Sequence, residues 1–421
     1  MPLLDRSSRR VGASPDAAGP GAEPADAFVR DPDTVLAYGA VACFAYCLYG
    51  LGPILAFLRA DLHLSYALTT LHSVLWSGGT IAAGLAYRPL VGRLGQRLLM
   101  WSMTAAFCAG IVLLATAHML ALTLTAALLM GASGTTLLVA TSAILADRHG
   151  PRRDRALVEA NAGAVAMAVL APLLFGALGG TALTWRAALA VPLAGFAVLY
   201  LRFRQLPGSA GTAGTAEPAI PGEIRPRPGR LPAAYWVLAI LVAVSVAVEF
   251  CVVFYAAELL HATGLPLDRA ATALAVFYLG ELAGRLAGAR LTRRQSAARS
   301  HALVAASLVV AAAGFLAFWL SGHLAVALGG LFVTGLGVAN LYPLTLGLAI
   351  SAAPGDSGRA AAWTQVLTGI AVMAAPFALS VMADAWGVGP AFAIEPALIA
   401  LAVILLAATA RRGARPVVTS I

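Results

Sequence analysis

The sequence contains no lysine; all 28 of its basic residues are arginine. Charge of any kind is scarce, at 11% of 421 residues. A soluble domain carries roughly 25%, so too little charge remains here to face water around an ordinary soluble core. Cysteine is scarce as well. Cys43, Cys47, Cys108 and Cys251 all fall in apolar runs, and no disulfide framework is implied. Cys43 and Cys47 share a helix face, where buried thiols act as small hydrophobes. No His/Cys/carboxylate spacing suits a metal, so no metal and no cofactor is expected. No Walker-type phosphate loop is present, which excludes ATP-driven work by this chain alone. The N-terminal stretch MPLLDRSSRRVGASPDAAGPGAEPADAFVRDPD has no apolar core and no cleavage site, so it is not a signal peptide. Residues 1–34 read as a disordered tail.

What is abundant is apolar surface: 60% of residues are hydrophobic and the mean hydropathy is +0.84. The apolar residues fall into twelve segments, 35–58, 66–87, 99–117, 119–146, 156–179, 184–202, 234–260, 267–288, 300–320, 323–350, 359–383 and 389–410. Crossing the hydrocarbon takes about 20 residues of helix. Most segments are apolar all round, as membrane helices are. RFRQLPGSAGTAGTAEPAIPGEIRPRPGRLPA separates the sixth from the seventh and reads as a linker, residues 203–233. The expected fold class is therefore all-α integral membrane, with twelve transmembrane helices in two six-helix bundles. The first half is 35–202, the second 234–410, and 411–421 forms a short tail.

Arginine sets the orientation. With twelve spans, alternate junctions share a side; 17 junction arginines fall on one side and 3, Arg59, Arg186 and Arg269, on the other. The positive-inside rule then places both termini and the linker in the cytoplasm, with the protein in the cytoplasmic membrane. These junctions also account for the net charge of +9, so no nucleic-acid partner is expected.

The halves repeat. GASGTTLLVATSAILA starts at Gly131 and GLGVANLYPLTLGLAI at Gly335; AVLAPLLFGALGG carries Pro172 and AVMAAPFALSVMAD carries Pro376. Both pairs are offset by 204 residues. Copies six helices apart have the same membrane orientation. Parallel six-helix halves are the arrangement of major facilitator transporters, and over residues 35–410 the chain resembles that superfamily. The junction YRPLVGRLGQRLLM resembles its loop motif, with Arg93, Gly95 and Arg97 matching and Gly92 standing where an acidic residue is usual. GELAGRLAGARLTRR and GLGVANLYPLTLG are similar to its eighth and tenth helices. The fourth helix lacks the arginine of drug/proton antiporters, and Pro172 does not match the spacing of their fifth-helix motif.

Three charges lie inside apolar helices. A charge at the bilayer centre costs roughly 2.5–3.5 kcal/mol on insertion scales, and such residues normally face a cavity or the bundle interior. Glu249 lies within LVAVSVAVEFCVVFYAAELL, with Ser245, Val252 and Val253 as its helical neighbours. Glu281 and Arg285 are spaced to pair on one face. These three are the proton-coupling candidates; a structural ion pair is the competing reading of Glu281 and Arg285. The substrate-cavity candidates are Tyr46, Tyr49, His72, Trp76, Thr136, Asn161, Tyr255, Tyr278, Asn340, Tyr342, Trp363 and Gln365, each of which also reads as a packing or interhelical bonding residue. ADRHGPRRDRALVEAN is dense in charge and is expected either to pair across the halves as a gate or to remain a solvated loop.

The resemblance implies a secondary transporter, not an enzyme. It would move a small molecule by alternating access, coupled to protons, as a monomer in the lipid bilayer. Efflux of a drug or secondary metabolite stands as the alternative to uptake. A membrane enzyme and a non-transporting sensor are the remaining classes.

Overall fold

Caps and apolar runs delimit the helices. The computed structural model describes residues 28–205, 230–291, 297–353 and 356–413. Most of the expected N-terminal tail, linker and C-terminal tail lies outside the described residues. Asp31 accepts the Thr34 amide at 2.9 Å and starts α1, Pro32–Tyr49. A bend of 45° at Gly50 leads into α2, Leu51–Leu62. Ser65 caps α3, Tyr66–Leu94, and α4 (Gln96–Thr116), α5 (Leu120–His149) and α6 (Arg153–Gly179) follow. A single 3-10 turn, Trp185–Leu189, enters α7, Ala190–Phe203. The second half comprises α8 (Ala233–Ala262), α9 (Leu267–Leu291), α10 (Ala297–Leu320), α11 (Leu324–Val338), α12 (Leu341–Ser351), α13 (Ser357–Trp386), α14 (Val388–Ala391) and α15 (Ile394–Gly413).

Among the described residues, ten helical stretches are long and apolar enough to cross a membrane, and the bent α1–α2 pair would be an eleventh. The twelfth expected crossing is α3. Its 29 residues give it the length, but Thr69, Thr70, His72 and Ser73 dilute its apolar character, and all four are buried against other helices.

The internal repeat has a physical counterpart. α3 crosses α5 at Gly131, where a Cβ would strike the Trp76 carbonyl; α9 crosses α11 at Gly335, where a Cβ would strike the Phe277 carbonyl. Such backbone approach needs small residues. Equivalent helix pairs therefore meet at equivalent residues in the two halves.

The halves touch through α2 against α8, α3 against α13, and α6 against α9. The turns joining α2 to α3, α8 to α9, and α13 to α14 lie at one end of the bundle. This is called the far end here, to distinguish it from the terminal end, where α1 begins.

Candidate functional site

The bend after α1 creates the first element of the site. In a continuous helix the Tyr49 carbonyl would accept from residue 53, but that residue is Pro53 and has no amide hydrogen. The freed carbonyl instead accepts from the Tyr278 hydroxyl of α9 at 3.2 Å. The two rings meet edge to face, with centroids 5.4 Å apart. A proline in the first half thus anchors a tyrosine of the second.

From Tyr278 the face of α9 continues to Glu281 and Arg285, which form an ion pair. The Glu281 side chain is 6% exposed and that of Arg285 40%, so the pair reaches from the interior toward open space. Asn340, in the break between α11 and α12, donates to the Gly284 carbonyl at 2.7 Å and fixes this stretch of α9. Glu249 of α8 stands beside the pair. It is half-buried, and the charges of Glu281 and Arg285 act on it. Among the described residues, no hydrogen bond or ion pair reaches its carboxylate. Its charge also acts on Tyr49, Tyr278 and Tyr342, and Tyr342 donates to Gln365 at 3.1 Å. Trp363 packs edge-on against Trp236 and is 45% exposed. Eight of the residues singled out in the sequence therefore gather in one region: Glu249, Glu281, Arg285, Tyr49, Tyr278, Asn340, Tyr342 and Gln365.

The others lie elsewhere. Tyr46 turns into the first half, where its hydroxyl donates to the Ala188 carbonyl at 3.1 Å. His72 is buried between α3 and α5, with Nδ1 on the Thr69 carbonyl and Nε2 on the Thr123 hydroxyl, each at 2.8 Å. Trp76 packs against Phe44 and Phe107. Thr136 is buried and bonds back to Ala132. Asn161 is exposed on α6. In the loop motif, Gly95 takes the positive φ of +73° that joins α3 to α4, and Arg97 donates to the Phe203 carbonyl at 2.8 Å. Arg93 is exposed.

Two contact sets at the far end went unnoticed in the sequence. Arg59 of α2 grips Glu258 of α8 in a two-pronged pair at 2.7 and 2.6 Å, and its guanidinium lies 4.2 Å from the centre of the Tyr66 ring. Asp384 of α13 accepts the first amides of α3, Tyr66 at 2.7 Å and Ala67 at 2.9 Å. Tyr255 adds a hydroxyl contact to Thr70. Apart from the Arg59–Tyr66 contact, which lies within the first half, each of these joins one half to the other. The signal for Glu258 was available: it is the second carboxylate of the apolar run that carries Glu249.

The ion pairs described for the charge-dense segment lie within the first half. Arg148 pairs with Asp31, while Glu159 pairs with Arg30 and Arg155. All of these partners belong to the first half, because the segment packs under the start of α1. His149 stacks on Phe28 in the same cluster. Glu395, at the start of α15, was also missed. It is fully buried, neither carboxylate oxygen has a hydrogen-bond partner, and its charge acts on Cys251 of α8.

The chain is similar in fold to solved transporters. A bacterial homologue of the human lysosomal transporter Spinster, inward-facing and unoccupied, is 16% identical, with 91% of this chain and 94% of that one covered and a TM-score of 0.67. The nucleoside transporter NupG is 13% identical, with 91% and 98% covered and a TM-score of 0.67. The peptide transporter POT in complex with sulfate is 18% identical, with 93% and 97% covered and a TM-score of 0.68. No curated protein matches the sequence. The family model of the Major Facilitator Superfamily matches residues 37–300, which is more than half of the chain. By sequence and by fold, then, this chain belongs to the Major Facilitator Superfamily.

Proposed function

We propose that the protein is a proton-coupled secondary transporter of a small molecule in the bacterial cytoplasmic membrane, with both termini in the cytoplasm. The observation that carries this reading is Glu249. It is a carboxylate within an apolar helix, without a hydrogen-bond partner among the described residues, beside the Glu281–Arg285 pair. A carboxylate in that setting can take up and release a proton without breaking a bond that holds the fold. The contacts at Arg59, Tyr255 and Asp384 hold the halves together at the far end. With the termini in the cytoplasm, the halves are in contact on the outer side in this arrangement. Proton movement at Glu249 shifts the balance between this state and one open at the far end.

The test uses purified protein in proteoliposomes and a screen of candidate substrates with and without an imposed pH gradient. Transport by the wild type follows the gradient. Glu249→Gln retains binding-site architecture but loses the dependence on the gradient. Full gradient-driven transport by the variant overturns the assignment and transfers it to Glu281.

A further inference from the structure

We infer that residues 28–31, which lead into α1, form an ionic strap that staples the α5–α6 corner at low ionic strength and lets go of it at high ionic strength. This goes beyond the transporter reading and does not depend on it; that reading only makes the solution concerned the cytoplasm.

The corner is a break in the first half. α5 ends at His149, Gly150 takes a φ of +45°, one 3-10 turn spans Gly150–Arg152, and α6 begins at Arg153. The strap touches both sides of that break. On the α5 side, Phe28 stacks on His149 with centroids 4.6 Å apart, and Asp31 pairs with Arg148. On the α6 side, Arg30 donates through Nε and Nη2 to the two carboxylate oxygens of Glu159, at 2.7 and 2.9 Å. The Arg155 guanidinium lies 4.5 Å from the centre of the Phe28 ring. The strap pivots at Asp31, whose second oxygen accepts the Thr34 amide at 2.9 Å and the Thr34 hydroxyl at 2.6 Å. Thr34 has then spent its one hydroxyl hydrogen, so its oxygen accepts from His149 Nε2 at 2.8 Å.

Two ion pairs and one cation on a ring therefore hold residues 28–31 to the corner. The side chains of Arg30, Arg148 and Arg155 are 55%, 50% and 59% exposed, so their fields run through water, where dissolved ions screen them. The screening length falls from about 30 Å at 0.01 M salt to about 3 Å at 1 M. Each such contact is weak alone, but losing the three together changes the ratio of docked to released strap by roughly tenfold.

The second half ties the equivalent helices differently. The residues 204 positions on from Asp31, Pro32 and Glu159 are Tyr235, Trp236 and Trp363. Tyr235 donates to the Ala360 carbonyl at 2.7 Å and meets the Thr364 hydroxyl at 3.1 Å, and the rings of Trp236 and Trp363 meet edge-on at 5.8 Å. These contacts between α8 and α13 are uncharged, and salt has nothing there to screen. Arg359 pairs with Asp356 within its own corner. One joint, built twice, is thus ionic in the first half and aromatic in the second, which supplies an internal control.

The experiment uses the purified full chain, without its four native cysteines, in phosphatidylcholine nanodiscs. Spin labels at Val29→Cys and Val158→Cys, both exposed, report the strap. Labels 204 positions on, at Ala233→Cys and Ala362→Cys, both exposed, report the second joint. Between about 0.02 and 1 M KCl the docked fraction of the first pair should fall by roughly tenfold relative to the released one, while the second pair keeps its distance. Sucrose at matched osmolality should move neither. Glu159→Gln should give the released distance already at low salt and flatten the response, with the second pair unchanged as evidence of folding. Arg30→Lys keeps the charge and should retain part of the response. Hydrogen exchange across residues 148–155 should quicken as the strap leaves. A first pair indifferent to salt, equal responses of the two joints, or a sucrose effect matching that of KCl overturns the inference. So does release of the strap with no change of exchange at the corner.

Discussion

Replacing Arg59 by methionine tests whether the far end is a latch. The Glu258 side chain is 4% exposed and accepts both prongs of the Arg59 guanidinium. Removing one partner of a buried pair costs about 3–5 kcal/mol, because the other charge is left uncompensated. This protein has a way to lower that cost: separating the halves hydrates Glu258. The penalty then falls on the closed state, and about 3 kcal/mol changes the ratio of closed to open by more than about a hundredfold. Glu258→Gln should do much less. Arg59 is 25% exposed and keeps its place over Tyr66, so the loss is about 1 kcal/mol, or roughly fivefold. The double variant carries no unpaired buried charge and should close again relative to Arg59→Met. Spin labels at His63→Cys and His261→Cys, in a background without the four native cysteines, report the far-end separation. Both positions are exposed. The distance distribution should lengthen strongly for Arg59→Met and little for Glu258→Gln. Equal effects of the two single variants, or no effect of either, would refute the reasoning.

Three other outcomes follow from single residues. Gly131→Leu and Gly335→Leu each drive a side chain into a backbone carbonyl and should each cost about 3 kcal/mol or more, seen as matching losses of thermal stability in detergent. Unequal losses would contradict the equivalence of the two helix crossings. Glu395→Leu removes a buried carboxyl without hydrogen-bond partners and should stabilise by about 1–3 kcal/mol, with Glu395→Gln near neutral in the same thermal measurement. At the entry to α1, burial pushes the Asp31 carboxyl up, but bonds from Thr34 and Arg148 outweigh it and hold the group below its ordinary value. Its stabilising contribution is therefore present above the unfolded value of about 3.9 and is lost as pH falls through the folded value. Asp31→Asn should flatten the acid limb of an unfolding-versus-pH curve.

How far the site could be read in advance depended on how each residue announced itself. Glu249, Glu281 and Arg285 were conspicuous because a charge inside an apolar run has few tolerable explanations. Glu258 and Glu395 sit near helix ends, where a carboxylate looks interfacial and unremarked, yet both are buried. Tyr278 could be named as polar, but its partner could not. That bond depends on Pro53 freeing a carbonyl 229 residues away in sequence. His72, Trp76, Tyr46 and Thr136 are polar or aromatic residues of helices expected to line the cavity. Their side chains turn the other way.

Apolar length, the arginine junctions and the fixed offset of 204 residues were enough by themselves to establish a membrane-embedded helical chain built from two parallel copies. Lipid offers the backbone no hydrogen bonds, so a long apolar run has little alternative to a helix. The sequence did not determine which way each helix faces. A helix that is apolar all round has no preferred side, and its rotation is settled by the neighbours it packs against. That rotation turned Glu249 toward Glu281 and Arg285, buried His72 between α3 and α5, and paired Arg59 with Glu258 across the halves.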